Sequence, residues 1–208
     1  METKNTKYTD EKLNREYYSK SDSHFMDIKQ AFFAHRTLPR IAWVRDKVYE
    51  LGSEKHLDIG CKDGYLELTL SSEGIDCIGV DPSEDAIDEA KLRAKEAELD
   101  CQFKCAFIED LTDEWIGEHF SETVSMLEVI EHVADVDVVM RKLCQMGMYI
   151  FLSSPIAEGR HGTIDADRNE EHVRIFTKEE FEDLVSRYGV IKESVIIDDQ
   201  ICIMFQPK

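Results

Sequence analysis

The sequence predicts a doubly wound α/β fold, with a mostly parallel sheet, helices on both faces and an antiparallel hairpin at the C-terminal edge. Three observations carry this. From Gly52 onward, short apolar runs alternate with longer amphipathic segments, the texture of parallel strands joined by crossover helices. The first run ends in a turn built on glycines, Asp58-Ile59-Gly60-Cys61-Lys62-Asp63-Gly64, and the second ends in Asp81. The last apolar stretch, Ser194 to Phe205, doubles back at Asp198-Asp199-Gln200.

Taken in order, residues 1–20 carry no sustained period and read as an arm over the surface. Between Ser23 and Leu51, Phe25, Ile28, Phe32, Ile41, Val44, Val48 and Leu51 recur mostly at helical spacing. They predict one or two amphipathic helices, with a break near Thr37-Leu38-Pro39, where proline disfavours helix in the residue before it. His56 to Gly60 is the first strand and Tyr65 to Leu70 a helix. Cys77 to Asp81 is the second strand, followed by a charged helix from Ser83 to Leu99. Cys101 to Ile108 is β-like, and Val124 to Leu127 is a strand leading into a helix through Leu143. Met148 to Ser153 is again a strand, Lys178 to Tyr188 a helix, and the hairpin closes the chain. No linker rich in Pro and Gly interrupts the pattern. Residues 1–50 are expected to form an arm and helices able to act as a lid, and residues 51–208 the α/β domain.

Composition narrows the function classes. The 208 residues are 42% hydrophobic and 33% charged, which fits one globular domain. No apolar run approaches the roughly 20 residues that span a bilayer, and the polar N-terminus lacks a signal-peptide core, so a cytosolic protein is expected. Acidic residues outnumber basic ones by 44 to 25, a net charge of −19. Such a surface disfavours long nucleic acid as a partner, because that binding draws on Lys and Arg neutralising phosphates. The six cysteines, Cys61, Cys77, Cys101, Cys105, Cys144 and Cys202, form no Cys-x-x-Cys pair and are expected to be reduced and mostly buried.

The glycine turn is where the backbone can approach a ligand closely. In open sheets of this kind, ligands sit beyond the carboxyl ends of the strands. A dinucleotide fingerprint needs glycines at its first, third and sixth places, but Gly60, Lys62 and Tyr65 stand there, which removes most of the case for hydride transfer. What the segment does resemble is the Asp-x-Gly-x-Gly-x-Gly signature of class I S-adenosylmethionine-dependent methyltransferases, carried as Asp58, Gly60, Lys62 and Gly64. The resemblance implies a Rossmann-like, seven-stranded sheet. Lys62 replaces the middle glycine: it crowds the cofactor's methionyl end, strains the backbone, or meets the cofactor's carboxylate. Asp81, roughly 20 residues on, is placed to accept hydrogen bonds from both ribose hydroxyls. Its other reading is a helix-start residue ahead of Pro82. The resemblance puts Phe107, Ile108 and Glu109 around the adenine. The cofactor-binding set it implies is therefore Asp58, Gly60, Cys61, Lys62, Gly64, Asp81, Pro82, Phe107, Ile108, Glu109, Leu127 and Glu128.

Strand four ends in Leu127-Glu128-Val129-Ile130-Glu131-His132-Val133. Together with His-Val-Arg-Ile-Phe-Thr-Lys-Glu-Glu-Phe at 172–181, it resembles ubiquinone-pathway O-methyltransferases and small-RNA 2′-O-methyltransferases. If Glu128 opens a helix, Glu128, Glu131 and His132 share one face and can hold a divalent ion such as Mg²⁺, Mn²⁺, Zn²⁺ or Fe²⁺. The small-RNA resemblance implies a further histidine from a later loop, His172, with His161 behind it. Two other readings stand beside this one. In the first, His132 is a metal-free general base, with Glu131 at a helix start; in the second, the segment is structural or shapes the substrate site.

The long polar segment from Ser153 to Glu171 is expected to border the acceptor, with Arg160, His161 and Arg174 as substrate contacts or as ordinary solvated residues. The resemblance implies methyl transfer from S-adenosylmethionine to the oxygen of a small phenol, catechol or sugar, with or without a divalent metal. The alternatives are an RNA 3′-terminal 2′-O-methyltransferase, and a non-catalytic cofactor-binding partner, which Lys62 keeps in play.

Overall fold

A computed structural model of the protein describes residues 3, 9, 11–20, 37–158 and 171–208. Seven strands form one sheet in the order β3-β2-β1-β4-β5-β7-β6. β1 (Lys55–Ile59), β2 (Asp76–Asp81), β3 (Cys101–Cys105), β4 (Ser121–Leu127) and β5 (Gly147–Pro155) run parallel. β7 (Gln200–Pro207) lies antiparallel between β5 and β6 (Gly189–Ile197). The helices are α1 (Glu11–Lys20), α2 (Thr37–Glu50), α3 (Tyr65–Ser71), α4 (Glu84–Glu96), α5 (Asp113–Glu118), α6 (Val136–Leu143) and α7 (Lys178–Tyr188). The predicted fold class is the one observed. Strand order reverses between β1 and β4, so the crevice beyond their carboxyl ends is the place where this architecture binds ligands.

Two apolar clusters hold the layers together. Ile41, Val44 and Val48 of α2 pack with Leu66 and Leu70 of α3 against Cys77, Phe151 and Met204. The larger cluster joins Val139, Met140 and Leu143 of α6 and Phe181, Leu184 and Val185 of α7 to Leu57, Val124, Ile150, Leu152 and Ile203 of the sheet. Every one of these side chains is at least nine-tenths buried, so removing water from their apolar surface is the main force for folding. Helix ends follow local chemistry: the Ser83 side chain caps α4, Asp135 caps α6, and Thr177 with Glu180 forms a capping box on α7. The helix that the sequence broke near Thr37-Leu38-Pro39 begins at Thr37, with Pro39 in its first turn, where a missing N–H costs no hydrogen bond.

Three expectations change. β3 stops at Cys105 instead of running to Ile108: after Ala106 N–H donates to the Asp81 carbonyl, the chain turns through a 3₁₀ segment, Ile108–Asp110, across the strand ends. The short helix α5 carries too few apolar positions to show a period. Glu128 does not open a helix; it holds a left-handed conformation, φ +57°, at the end of β4, and α6 begins only at Val136. The six cysteines are all free, as expected, but only Cys61, Cys77 and Cys202 are fully buried and Cys105 is exposed. Phe25, Ile28 and Phe32 lie outside the described residues, as do the loop residues Arg160 and His161. No helix among the described residues is long and apolar enough to cross a membrane.

Candidate active site

A cavity of about 550 Å³ opens at the carboxyl ends of β1, β2 and β4. Its floor is the glycine turn. Gly60 has φ +82°, and a Cβ there would lie 2.3 Å from the Val129 side chain; Gly64, at φ +76°, would meet the Phe103 ring at 2.8 Å. Lys62 holds φ +50° with a full side chain, so the backbone is strained where the signature has glycine. Its N–H donates to Oδ2 of Asp81 at 3.0 Å, and the Ser83 N–H donates to Oδ1 at 2.9 Å. Those two bonds orient the Asp81 carboxylate and leave each oxygen further lone pairs for incoming hydroxyls. Burial pushes the Asp81 carboxyl above the ordinary range. Asp58 sits deeper, with Oδ1 accepting from Ser125 at 2.5 Å. Its carboxyl is pushed up to about 7, chiefly by burial, with the Ser125 hydrogen bond acting against that.

All twelve residues of the implied cofactor set except Gly64 line the cavity, including Phe107, Ile108 and Glu109 of the 3₁₀ turn, Pro82 and Leu127; Gly64 shapes the turn from below. The carboxylates of Asp58, Asp81 and Glu128 face the cations Arg40 and Lys62 in the same space. This mixed lining fits S-adenosylmethionine, which presents a sulfonium, an ammonium, a carboxylate and two ribose hydroxyls.

At one end of the cavity, Glu131, His132 and His172 bring one ligand atom each to within 4.8 Å of one another. The Glu131 carboxylate is 1% exposed, and among the described residues no hydrogen bond reaches either of its oxygens. Burial, with the neighbouring Glu128 charge, pushes its carboxyl well above the ordinary range. A buried carboxylate beside two imidazoles fits a bound cation. His132 Nδ1 lies 3.1 Å from the Glu171 carbonyl and 2.7 Å from the Tyr18 hydroxyl. Nδ1 is thus within hydrogen-bond reach of both a carbonyl and a hydroxyl, and Nε2 stands 3.8 Å from Glu131.

Two metal and substrate expectations are corrected. Glu128 stands apart from this trio, because its side chain accepts from Ser153 at 2.8 Å and from Gln200 at 2.5 Å and pairs with Arg40 at 3.6 Å. Arg174 does not reach into the cavity. It is 3% exposed and clamps the carbonyls of Ile130, Val133 and Ala134, which shape the turn carrying Glu131 and His132. Next to it, the Val173 N–H donates to the Glu131 carbonyl at 3.0 Å, and this stitch brings His172 to the trio.

Residues from the N-terminal helices complete the site. Arg40 shares the apolar face of α2 with Ile41, Val44 and Val48, and a cation on a core face was the available signal. Helix α1 crosses the mouth: Asn14 donates to the His132 carbonyl at 2.8 Å, Tyr17 bonds Glu171, and the Arg15 guanidinium lies 4.2 Å from the Phe107 ring centre.

Residues 25–193 match the methyltransferase domain family. The chain belongs to that family, in its class I, S-adenosylmethionine-dependent branch. Over 124 residues this methyltransferase is 36% identical to the ubiquinone biosynthesis O-methyltransferase of Bradyrhizobium diazoefficiens, covering 54% of this chain and 47% of that one. Over 118 residues it is 28% identical to the enzyme of the same name from Bordetella avium, covering 55% and 48%. The chain spans about half the length of these curated relatives. Its fold matches magnesium protoporphyrin IX methyltransferase from Synechocystis with bound S-adenosylhomocysteine (TM-score 0.73, 14% identity, 96% and 100% covered). It also matches the methyltransferase domain of bacterial CtHen1-C (TM-score 0.66, 18% identity, 81% and 96% covered). The methyltransferase thus shares its fold with both solved structures.

Proposed function

We propose that this methyltransferase transfers the methyl group of S-adenosylmethionine to an oxygen of a small hydroxylated acceptor, a phenol, catechol or sugar, with a divalent cation held by Glu131, His132 and His172. The observation that carries the proposal is the buried Glu131 carboxylate converging with two imidazoles at the edge of the cofactor cavity. The names of the sequence relatives support oxygen as the acceptor atom. When bound, the cofactor supplies an electrophilic methyl on a sulfonium, and the cation would supply charge that lowers the pKa of an acceptor hydroxyl.

The protein's own part is binding, orientation and exclusion of water. Asp81, held by two backbone N–H groups, receives the ribose hydroxyls. Asp58 and Glu128 provide negative charge opposite the cationic methionyl end, and Arg40 and Lys62 stand ready for its carboxylate. Helix α1 covers the mouth and shields the His132 end from water. If no cation is held, the His132 imidazole is the general base that accepts the hydroxyl proton. The same trio would suit the 3′-terminal ribose of an RNA, but the net charge of −19 opposes a polyanion.

The test is calorimetric titration with S-adenosylhomocysteine and with Mn²⁺, followed by transfer of labelled methyl to catechols, phenols, sugars and a short RNA. The expected result is micromolar nucleotide binding, Mn²⁺ binding lost in Glu131→Ala and His172→Ala, and label in an O-methyl ether of a small acceptor. Label in RNA alone would overturn the acceptor, undiminished Mn²⁺ binding in both variants the metal trio, and absence of nucleotide binding the enzyme reading.

A further inference from the structure

A buried polar chain runs through the sheet beneath the cavity floor. His56 of β1 is fully buried, with Nδ1 2.9 Å from Oγ1 of Thr123 and Nε2 2.8 Å from Oγ of Ser125, both on β4. Ser125 in turn reaches Oδ1 of Asp58 at 2.5 Å. The directions of these bonds follow from the ionised state of Asp58. An ionised carboxylate only accepts, so the Ser125 hydrogen goes to Asp58. The Ser125 oxygen then accepts from His56, which puts the imidazole proton on Nε2 and leaves Nδ1 to accept from Thr123. Every hydrogen in the chain points toward Asp58. The imidazole stays neutral, because burial pushes its pKa down to about 3.

We infer that Ser125 and His56 are positioning residues which hold the Asp58 carboxylate ionised and oriented for a cationic group of the cofactor. The inference rests on reading the cavity as an S-adenosylmethionine site. Sheet interiors at this depth are normally apolar, and unpaired polar groups there are costly, so a continuous run of them is retained only when fully satisfied. This run is satisfied, and it ends on a cavity carboxylate. The groups facing Asp58 from the surrounding elements divide into two kinds. Asp81 of β2 opposes its charge and Arg40 of α2 supports it, while burial keeps Glu67 of α3, Cys61 of the glycine turn and Cys77 of β2 protonated and neutral. Against burial and the Asp81 charge, the Ser125 hydrogen bond is the larger of the two influences that favour the ionised carboxylate, ahead of Arg40. Once Asp58 is ionised, an incoming ammonium meets a charge already aimed by a rigid sheet, with no side chain to reorganise.

The experiment measures the Asp58 carboxyl by ¹³C NMR titration and S-adenosylhomocysteine affinity by calorimetry from pH 6 to 8.5, in the wild type, Ser125→Ala, His56→Leu and His56→Gln. In Ser125→Ala the Asp58 midpoint should rise by about one pH unit, weakening binding about tenfold at pH 6 and less than about twofold at pH 8.5. His56→Leu should shift it the same way by a smaller amount. His56→Gln, whose amide both donates to Ser125 and accepts from Thr123, should restore the wild-type profile. An unmoved midpoint in both Ser125→Ala and His56→Leu overturns the inference, as does an affinity loss equal at every pH, the mark of a packing defect. If Ser125→Ala does not fold, the His56 pair decides the question alone. Absence of nucleotide binding by the wild type would remove the cofactor reading, while the NMR midpoints of the free protein would still decide the relay.

Discussion

Tyr18 sets its hydroxyl 2.7 Å from Nδ1 of His132, and the two rings meet edge to face with centroids 5.5 Å apart. One residue comes from the N-terminal helix and the other from the turn after β4, so the contact couples cover and chemistry. Tyr18→Phe keeps the ring and removes the hydroxyl. One lost hydrogen bond of this kind is worth about 1 kcal/mol, so turnover should fall roughly fivefold while the KM for cofactor stays within about twofold. Faster hydrogen exchange of the α1 amides should accompany the loss. Unchanged turnover and exchange would make the contact incidental.

Glu67 of α3 is a fully buried carboxyl with no hydrogen bond to its side-chain oxygens among the described residues. It packs over Gly79, where a Cβ would lie 2.5 Å from its Oε1. Burial, followed by the Asp58 charge, pushes its pKa well above the ordinary value. The folded chain therefore holds this proton where the unfolded chain, near pKa 4.3, has lost it. Stability from Glu67 is full below that unfolded value and is lost as pH rises, at up to about 1.4 kcal/mol per unit, until the folded pKa is passed. Glu67→Gln does not titrate, so its Tm should rise relative to the wild type between pH 5 and pH 8. Thermal melts at the two pH values check this, and a gap that stays constant or narrows refutes it.

Arg174 holds three backbone carbonyls of the turn between β4 and α6 from a site 40 residues or more along the chain. Its guanidinium is pushed down to about 10 by burial, which still leaves it charged at neutral pH. Arg174→Met would leave those carbonyls unsatisfied, at roughly 1–3 kcal/mol each where water cannot enter. The expected outcome is a large fall in Tm together with loss of Mn²⁺ binding, since the turn carries Glu131 and His132. Arg174→Lys should rescue little, because an ammonium cannot reproduce the planar fork. A variant with wild-type stability and only a raised acceptor KM would restore the substrate-contact reading.

Much of the site is legible locally. Asp58, Gly60 and Gly64 sit at one strand-to-helix turn, and Asp81 closes the next strand, so alternation and spacing place all four on one sheet edge without any long-range information. The hairpin at the C-terminus is legible for the same reason, with β6 ending at Ile197 and β7 beginning at Gln200. Lys62 is readable as a departure, but only the backbone shows how it is accommodated: its N–H serves Asp81 from a left-handed conformation.

The sequence by itself determined the strand–helix alternation, the glycine turn and the candidate ligand types, because these depend on residues a few positions apart. Only the tertiary structure decided which of those ligands meet. A helical spacing argument groups Glu128 with Glu131 and His132, yet a positive φ at Glu128 and its bonds to Ser153 and Gln200 turn it away. His172 joins the trio from 40 residues downstream because Val173 bonds the Glu131 carbonyl and Arg174 clamps the same turn. Arg40 and Tyr18 reach the cavity from helices whose docking depends on the finished sheet. Such contacts depend on packing between segments far apart in the chain, and no local period or motif encodes that distance.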